Sequence, residues 1–250
     1  MSVEVSKRFP SRFWAKVLSW PAAACLATVV VGFSALAAGQ VMHAAYITRW
    51  PTCEKVVVLT FDDGPDPVST PRTLEILKSR DVPAMFFVSG NRSATIPRIN
   101  YRAYDEHHIV ASHSRSHRNM RGFSADQQIE ELYLGEADVV KQLGGDLTGR
   151  VRYLRAPAGR ISPLALLRIW QDGGVYVAWS SAYDKRTFFE VAPQAERVLK
   201  YVESIRPGDV ILMHDGSPHA EQTLEDLPLI IDALRDRGYT FVTLDDLRKP

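Results

Sequence analysis

From Lys55 to the C-terminus, short apolar runs rich in β-branched residues alternate with stretches of helical periodicity, and this constrains the fold more than any other feature of the chain. Such runs suit strands buried on both faces. Strands separated by whole helices pair in parallel, each joined to the next by a crossover. The runs are Lys55–Phe61, Pro83–Val88, His108–Ala111, Val151–Arg155, Val175–Trp179, Asp209–Met213 and Thr240–Leu244. The class is therefore α/β. A distorted (β/α) barrel of about seven parallel strands accommodates so many short, weakly charged strands better than a two-layer sheet.

The helices between them carry their own start and stop signals. Ser124 followed by Gln127 is a capping box, Ile129, Leu132 and Ala137 continue the apolar side, and Gly144-Gly145 stops the helix. Ser162-Pro163 opens another, with proline in its first turn, and Gly173-Gly174 ends it. In the last long helix Leu224, Leu227, Leu229, Ile230, Ala233 and Leu234 lie close to one side, and Gly238 follows as a C-terminal cap.

The N-terminus differs in kind. Lys7, Arg8, Arg12 and Lys16 precede a run, Val17 to Met42, without an acidic or basic side chain. Two membrane readings are open. Ala35-Leu36-Ala37 fits a secretory cleavage site, while the length of the run suffices to span a hydrocarbon core of ~30 Å as an uncleaved anchor, with the basic flank left in the cytoplasm. The anchor is preferred, and a buried helix of a soluble protein is disfavoured because the run has no polar face. Either membrane reading puts the rest on the extracytoplasmic side, anchored or secreted. The expected organisation is a basic flank with signal or anchor over residues 1–45, a connector over 46–54, and one catalytic domain over 55–250. Cys25 lies inside the apolar run and Cys53 just after it, which argues against a structural disulfide. A formal net charge of +1 excludes the electrostatic footprint of a nucleic-acid binder, and nothing in the chain names a protein partner.

In a parallel barrel the chemistry sits at the C-terminal strand ends. The first run leads into Asp62-Asp63-Gly64-Pro65, the third into His113-Ser114-Arg115-Ser116-His117, the fourth carries Arg155 and the sixth ends at His214-Asp215. Asp-Gly-Pro by itself is ordinary turn chemistry. Side chains alternate along a strand, however, so Asp62 and Asp63 do different jobs if the turn bends the second toward the centre. His113 and His117 stand at i, i+4, which brings two imidazoles to one face in a helix or tight turn. Two imidazoles and one carboxylate suit Zn²⁺ and also Fe(II), while two surface histidines are the plain alternative. His214, Arg155 and Trp179 could each be ordinary core or rim residues, and gain interest from sharing that rim.

These residues resemble the NodB-homology polysaccharide deacetylases, the family four carbohydrate esterases, from about Lys55 to Leu247. Thr60-Phe61-Asp62-Asp63-Gly64-Pro65 matches the first family motif, and His113 to His117 matches the second, H-[ST]-x-x-H, with Arg118 where proline is usual. Arg155-Ala156-Pro157-Ala158-Gly159 is similar to the third, R-x-P-[YF]-G, with Ala158 replacing the aromatic, and Leu212-Met213-His214 fits the fifth, L-x-H. The fourth, D-x-x-D-W, is degenerate, with Asp184 in the second aspartate's place after a one-residue deletion and no tryptophan following. The resemblance implies a divalent metal, Zn²⁺ first with Co²⁺ or another divalent ion accepted, held by Asp63, His113 and His117. It further implies Asp62 as base, Arg155 orienting that base, His214 as acid and Asp184 tuning the acid. The backbone N–H of Ala158 is expected at the oxyanion, with Trp179 and Leu212 lining the substrate groove. The implied reaction is removal of N-acetyl groups from amino sugars in a glycan. The rivals are an O-acetyl esterase or deformylase of the same fold, a glycan-binding pseudoenzyme, and a non-haem iron oxygenase with the same ligand set.

Overall fold

The computed structural model describes residues 46–145, 150–183, 193–216, 218 and 220–249. The apolar run Val17 to Met42 and the candidate Asp184 lie outside the described residues, and among the described residues no helix is long and apolar enough to cross a membrane. The strands are β1 (Tyr46–Ile47), β2 (Val56–Asp62), β3 (Met85–Val88), β4 (Ile109–Ser112), β5 (Arg152–Leu154), β6 (Gly174–Val177), β7 (Ser181–Ala182), β8 (Asp209–His214) and β9 (Thr240–Phe241). Between them run α1 (Ser69–Ser79), α2 (Gly90–Thr95), α3 (Pro97–Asp105), α4 (Ala125–Gln142), α5 (Pro163–Gln171), α6 (Gln194–Ser204), α7 (Ala220–Asp236) and, last, α8 (Leu244–Arg248).

All strand pairs are parallel, in the order β1-β6-β5-β4-β3-β2-β8-β7, with β9 on β2. The sheet curls as expected, but it holds two strands beyond the seven runs, and these account for its distortion. Residues 46–50, expected within a connector, bridge β6 to β8: Ala178 N–H donates to the Ile47 carbonyl at 2.7 Å, and Trp50 N–H to Gly208 at 2.8 Å. Higher up, the chain leaving β6 crosses to β8, where Ser180 N–H reaches the Val210 carbonyl and β7 pairs with Ile211 and Leu212. The gap between β6 and β8 is thus spanned by two short segments where a regular barrel has one full strand. Neither segment is long enough to show a period of two. The last expected strand is also cut short, because Thr243 and Asp246 form a capping box that starts α8 at Leu244.

The period of two along β2 separates the two faces of the sheet. Val57, Leu59 and Phe61 pack outward against Leu74 and Leu77 of α1 and Leu227 and Ile230 of α7. Val58 packs inward with Met85, Phe87, Ala111, Val175 and Val210, filling the barrel. Each of these side chains is withdrawn from water, worth roughly 1.5–3 kcal/mol per large aliphatic or aromatic residue. Thr60 and Asp62 continue the inward face, which carries a carboxylate to the mouth of the barrel. The expected caps form: Ser124 and Gln127 close the capping box of α4, and Ser162 caps α5. Gly144 and Gly173 take the positive φ that follows each of these helices, and Gly238 does the same after α7.

Candidate active site

Asp62 is buried, and Arg155, rising from the end of β5 and fully buried, meets it inside the barrel. The Arg155 Nη1 donates to Asp62 Oδ1 at 2.5 Å and to Thr60 Oγ1 at 2.9 Å, two inward positions on one strand. Its Nε and Nη2 donate to the carbonyls of Val177 and Ala178 at 2.8 and 3.0 Å, and its guanidinium lies 3.9 Å from the Phe87 ring centroid. Every nitrogen of this buried cation therefore has a partner, which is what makes a fully desolvated ion pair tolerable.

At Asp63 the strand has ended and φ is +72°, so the second carboxylate is turned toward the mouth beside the first. Asp63 Oδ1 lies 2.7 Å from His117 Nε2 and 3.4 Å from His113 Nε2. Burial would raise the Asp63 carboxyl, but hydrogen bonding and charge from the His113 and His117 imidazoles outweigh it and hold this group well below the usual carboxylate range. His113 Nδ1 meets the Arg155 carbonyl at 3.0 Å; in the tautomer that donates to that oxygen, Nε2 carries a lone pair available to a cation instead of a hydrogen bond to Asp63. The three ligand atoms lie within 4.8 Å of one another. One anionic oxygen and two imidazole nitrogens converging with an outer partner already in place form a donor set that fits a divalent cation such as Zn²⁺.

The i, i+4 spacing of the histidines works through a loop, since Ser114 and His117 both have positive φ and no helix forms between them. Serine hydroxyls shape this loop: Ser114 Oγ accepts from His117 N–H at 3.1 Å, and Ser116 Oγ donates to Glu131 at 2.7 Å. Gly135 of α4 lets the loop seat, because a Cβ there would fall 2.4 Å from the Ser114 carbonyl carbon. A glycine in the middle of a long helix was the available signal for this close approach.

Leu212 and His214 lie on the inward face of β8, with His214 in register with Asp62 and buried. Asp62, Asp63, His113, His117, Ala158, Trp179 and Leu212 line one pocket of roughly 180 Å³, together with Asn119 and Pro157. Ala158 adopts φ +56°, and the Trp179 ring presses on Gly159, where an added Cβ would lie 2.7 Å from it. Of the candidates, Asp184 is outside the described residues, so its place beside the others is not assigned. Asp215, which the sequence places at the rim beside His214 without a role, sits directly behind the site. It is completely buried under the Asp63-Gly64 turn, Thr70 Oγ1 donates to it at 2.5 Å, and burial, reinforced by the Asp63 and Asp62 charges against the Thr70 bond, pushes its carboxyl up to about 7. Its carboxylate touches Gly64, where a Cβ would meet it at 2.7 Å. Its only sequence signal was adjacency to His214.

Comparison with known proteins places this geometry. The family model for polysaccharide deacetylase matches residues 49–177. A peptidoglycan-N-acetylglucosamine deacetylase of Bacillus cereus is 30% identical over 205 residues, 81% of this chain and 92% of that protein. A chitooligosaccharide deacetylase of Sinorhizobium fredii is 32% identical over 216 residues, 82% and 97% of the two chains. Among solved structures, a peptidoglycan N-acetylglucosamine deacetylase in complex with an N-oxidanyl-benzamide superposes with a TM-score of 0.73 at 28% identity, covering 82% of this chain and 94% of that one. With the strand order, the mouth of the barrel and the sequence relatives in agreement, the chain belongs to the polysaccharide deacetylase family.

Proposed function

We propose that this carbohydrate deacetylase removes the N-acetyl group of an amino sugar in an envelope glycan, using a divalent metal, Zn²⁺ first, held by Asp63, His113 and His117. The observation that carries the reading is the pairing of two unlike carboxylates at one strand end: Asp63 faces two imidazoles while Asp62 is held by a guanidinium. The named relatives act on peptidoglycan N-acetylglucosamine and on chitooligosaccharides, which supports an N-acetylglucosamine-containing glycan. An anchored N-terminal run over Val17 to Met42 would hold the catalytic domain, 55–250, next to such a polymer.

An amide is a poor electrophile with a poor leaving group, so the site must provide an activated nucleophile, charge stabilisation and a proton. A divalent cation at this site would polarise the acetyl carbonyl and acidify water. Arg155 occupies Asp62 Oδ1 and leaves Oδ2, 3.6 Å from His113 Nε2, to take the proton of the attacking water. The Ala158 N–H, being backbone, donates to the developing oxyanion whatever side chain the position carries. His214, in register with Asp62, gives its proton to the amine nitrogen as the C–N bond breaks, releasing acetate and the free amino sugar, and Asp184 tunes that histidine. Trp179 and Leu212 flank the sugar ring. With alanine at 158 and no fourth-motif tryptophan, stacking area is small, which favours a larger polymer over short chitin oligomers.

The test is Asp62→Asn. Metal content is expected to stay stoichiometric while acetate release from N-acetylglucosamine oligomers falls about 10²-fold or more, the usual scale for a positioned general base. Near-normal turnover with metal bound would assign water activation to another group. Release of acetate from acetylated xylan alone would shift the reading to an O-acetyl esterase.

A further inference from the structure

Residues 107–125 and 147–171 contain no aspartate or glutamate, against three arginines in the first stretch and five in the second. The whole chain has a formal charge of only +1, so this concentration is local. Five of the eight have ionic or hydrogen-bonding partners. Arg155 holds Asp62, Arg115 meets Asp138 at 3.2 Å, Arg152 meets Glu136 at 2.8 Å, Arg168 pairs with Asp126, and Arg150 donates to the Tyr104 hydroxyl. Arg118, Arg121 and Arg160 are exposed, and among the described residues no carboxylate pairs with them.

Arg118 and Arg121 belong to one loop next to the pocket and Arg160 to another. Met120 and Phe123 pack in the same apolar cluster as Ile161 and Trp179, which brings the 118–123 loop against the 156–161 loop. Arg118 stands between His117 and Asn119, both pocket-lining, and Arg160 follows pocket-lining Ala158 by two residues. At 3.8 Å per Cα step, both backbones lie within roughly 4–8 Å of the lining, about one sugar ring away. Arg118 is further oriented by the Phe123 ring, 5.1 Å from its guanidinium.

Resting on the deacetylase reading above, we propose that Arg118, Arg121 and Arg160 form a recognition site for an oxyanion carried by the sugar next to the one being deacetylated. A guanidinium offers a planar fork that fits either a carboxylate or a phosphate, and three that no carboxylate among the described residues pairs keep that capacity for substrate. Each is exposed and contributes modestly, so the effect requires more than one of them to act together. Binding a neighbouring sugar acts through substrate affinity, hence through KM more than kcat.

The experiment compares three β-1,4-linked N-acetylglucosamine oligomers of equal length: unmodified, bearing a lactyl ether carboxylate on alternate sugars, and phosphorylated at O6. At low salt, kcat/KM is expected to be about tenfold higher for an anionic oligomer than for the neutral one, through KM, and the advantage should shrink with added salt. Arg118→Gln/Arg160→Gln should remove that advantage and leave the neutral oligomer unchanged. Whether the carboxylate or the phosphate substrate gains identifies the source of the oxyanion. Equal kcat/KM for all three, or a double variant that slows all three alike, would overturn the inference. If none of them releases acetate, calorimetric binding of the same oligomers separates the two readings. Arginine-dependent preference for an anionic oligomer would keep the rim and remove the deacetylase assignment, whereas equal or absent binding would remove the rim.

Discussion

Arg155→Met is expected to lower stability by about 3–5 kcal/mol, because it leaves the Asp62 charge buried at the barrel mouth without its partner. The same change frees the carbonyls of Val177 and Ala178, which have Arg155 as donor. Turnover should be lost together with the stability. Urea unfolding of the single variant and of Arg155→Met/Asp62→Asn separates the causes. The double variant should recover part of the loss, since a neutral amide is far cheaper to bury than an unpaired carboxylate. Additive losses in the two changes would show that the pair is not coupled and that Arg155 matters through packing alone.

Removing one metal ligand should have the largest effect on activity. Asp63→Ala, His113→Ala and His117→Ala each delete one of three converging donors. Losing an outer partner of a metal ligand typically costs about 10–100-fold, so losing the ligand should exceed that range and also strip the metal. His113→Ala should be the most severe, because it also orphans the carbonyl of the buried Arg155. Metal analysis of the purified variants beside acetate release checks this, and any variant that retains stoichiometric metal removes its residue from the ligand set.

Much of this site was legible in the sequence because two simple rules meet there. Strand alternation carries Asp62 inward, and the strand-end rule for parallel barrels brings Asp63, His113, Arg155 and His214 to one rim. Neither rule describes how the loops achieve it. The two histidines converge through positive-φ turns at Ser114 and His117, and the i, i+4 spacing alone does not choose between a helix and such a tight turn. Gly135 and Asp215 act through tertiary contacts with segments distant in sequence, and a glycine or a carboxylate looks the same in the chain whether or not it makes them. The bridge between β6 and β8 was hidden for a related reason: β1 and β7 are two residues each, too short for any periodicity to register.

Metal dependence of N-deacetylation is read from acetate release from N-acetylglucosamine oligomers as a chelated preparation of the wild-type protein is titrated with Zn²⁺. Activity should be absent after chelation and return in proportion to added metal, reaching its plateau at one ion per chain, the number that one triad of Asp63, His113 and His117 can hold. Full acetate release by the chelated, metal-free protein, or none at any metal loading, would contradict it.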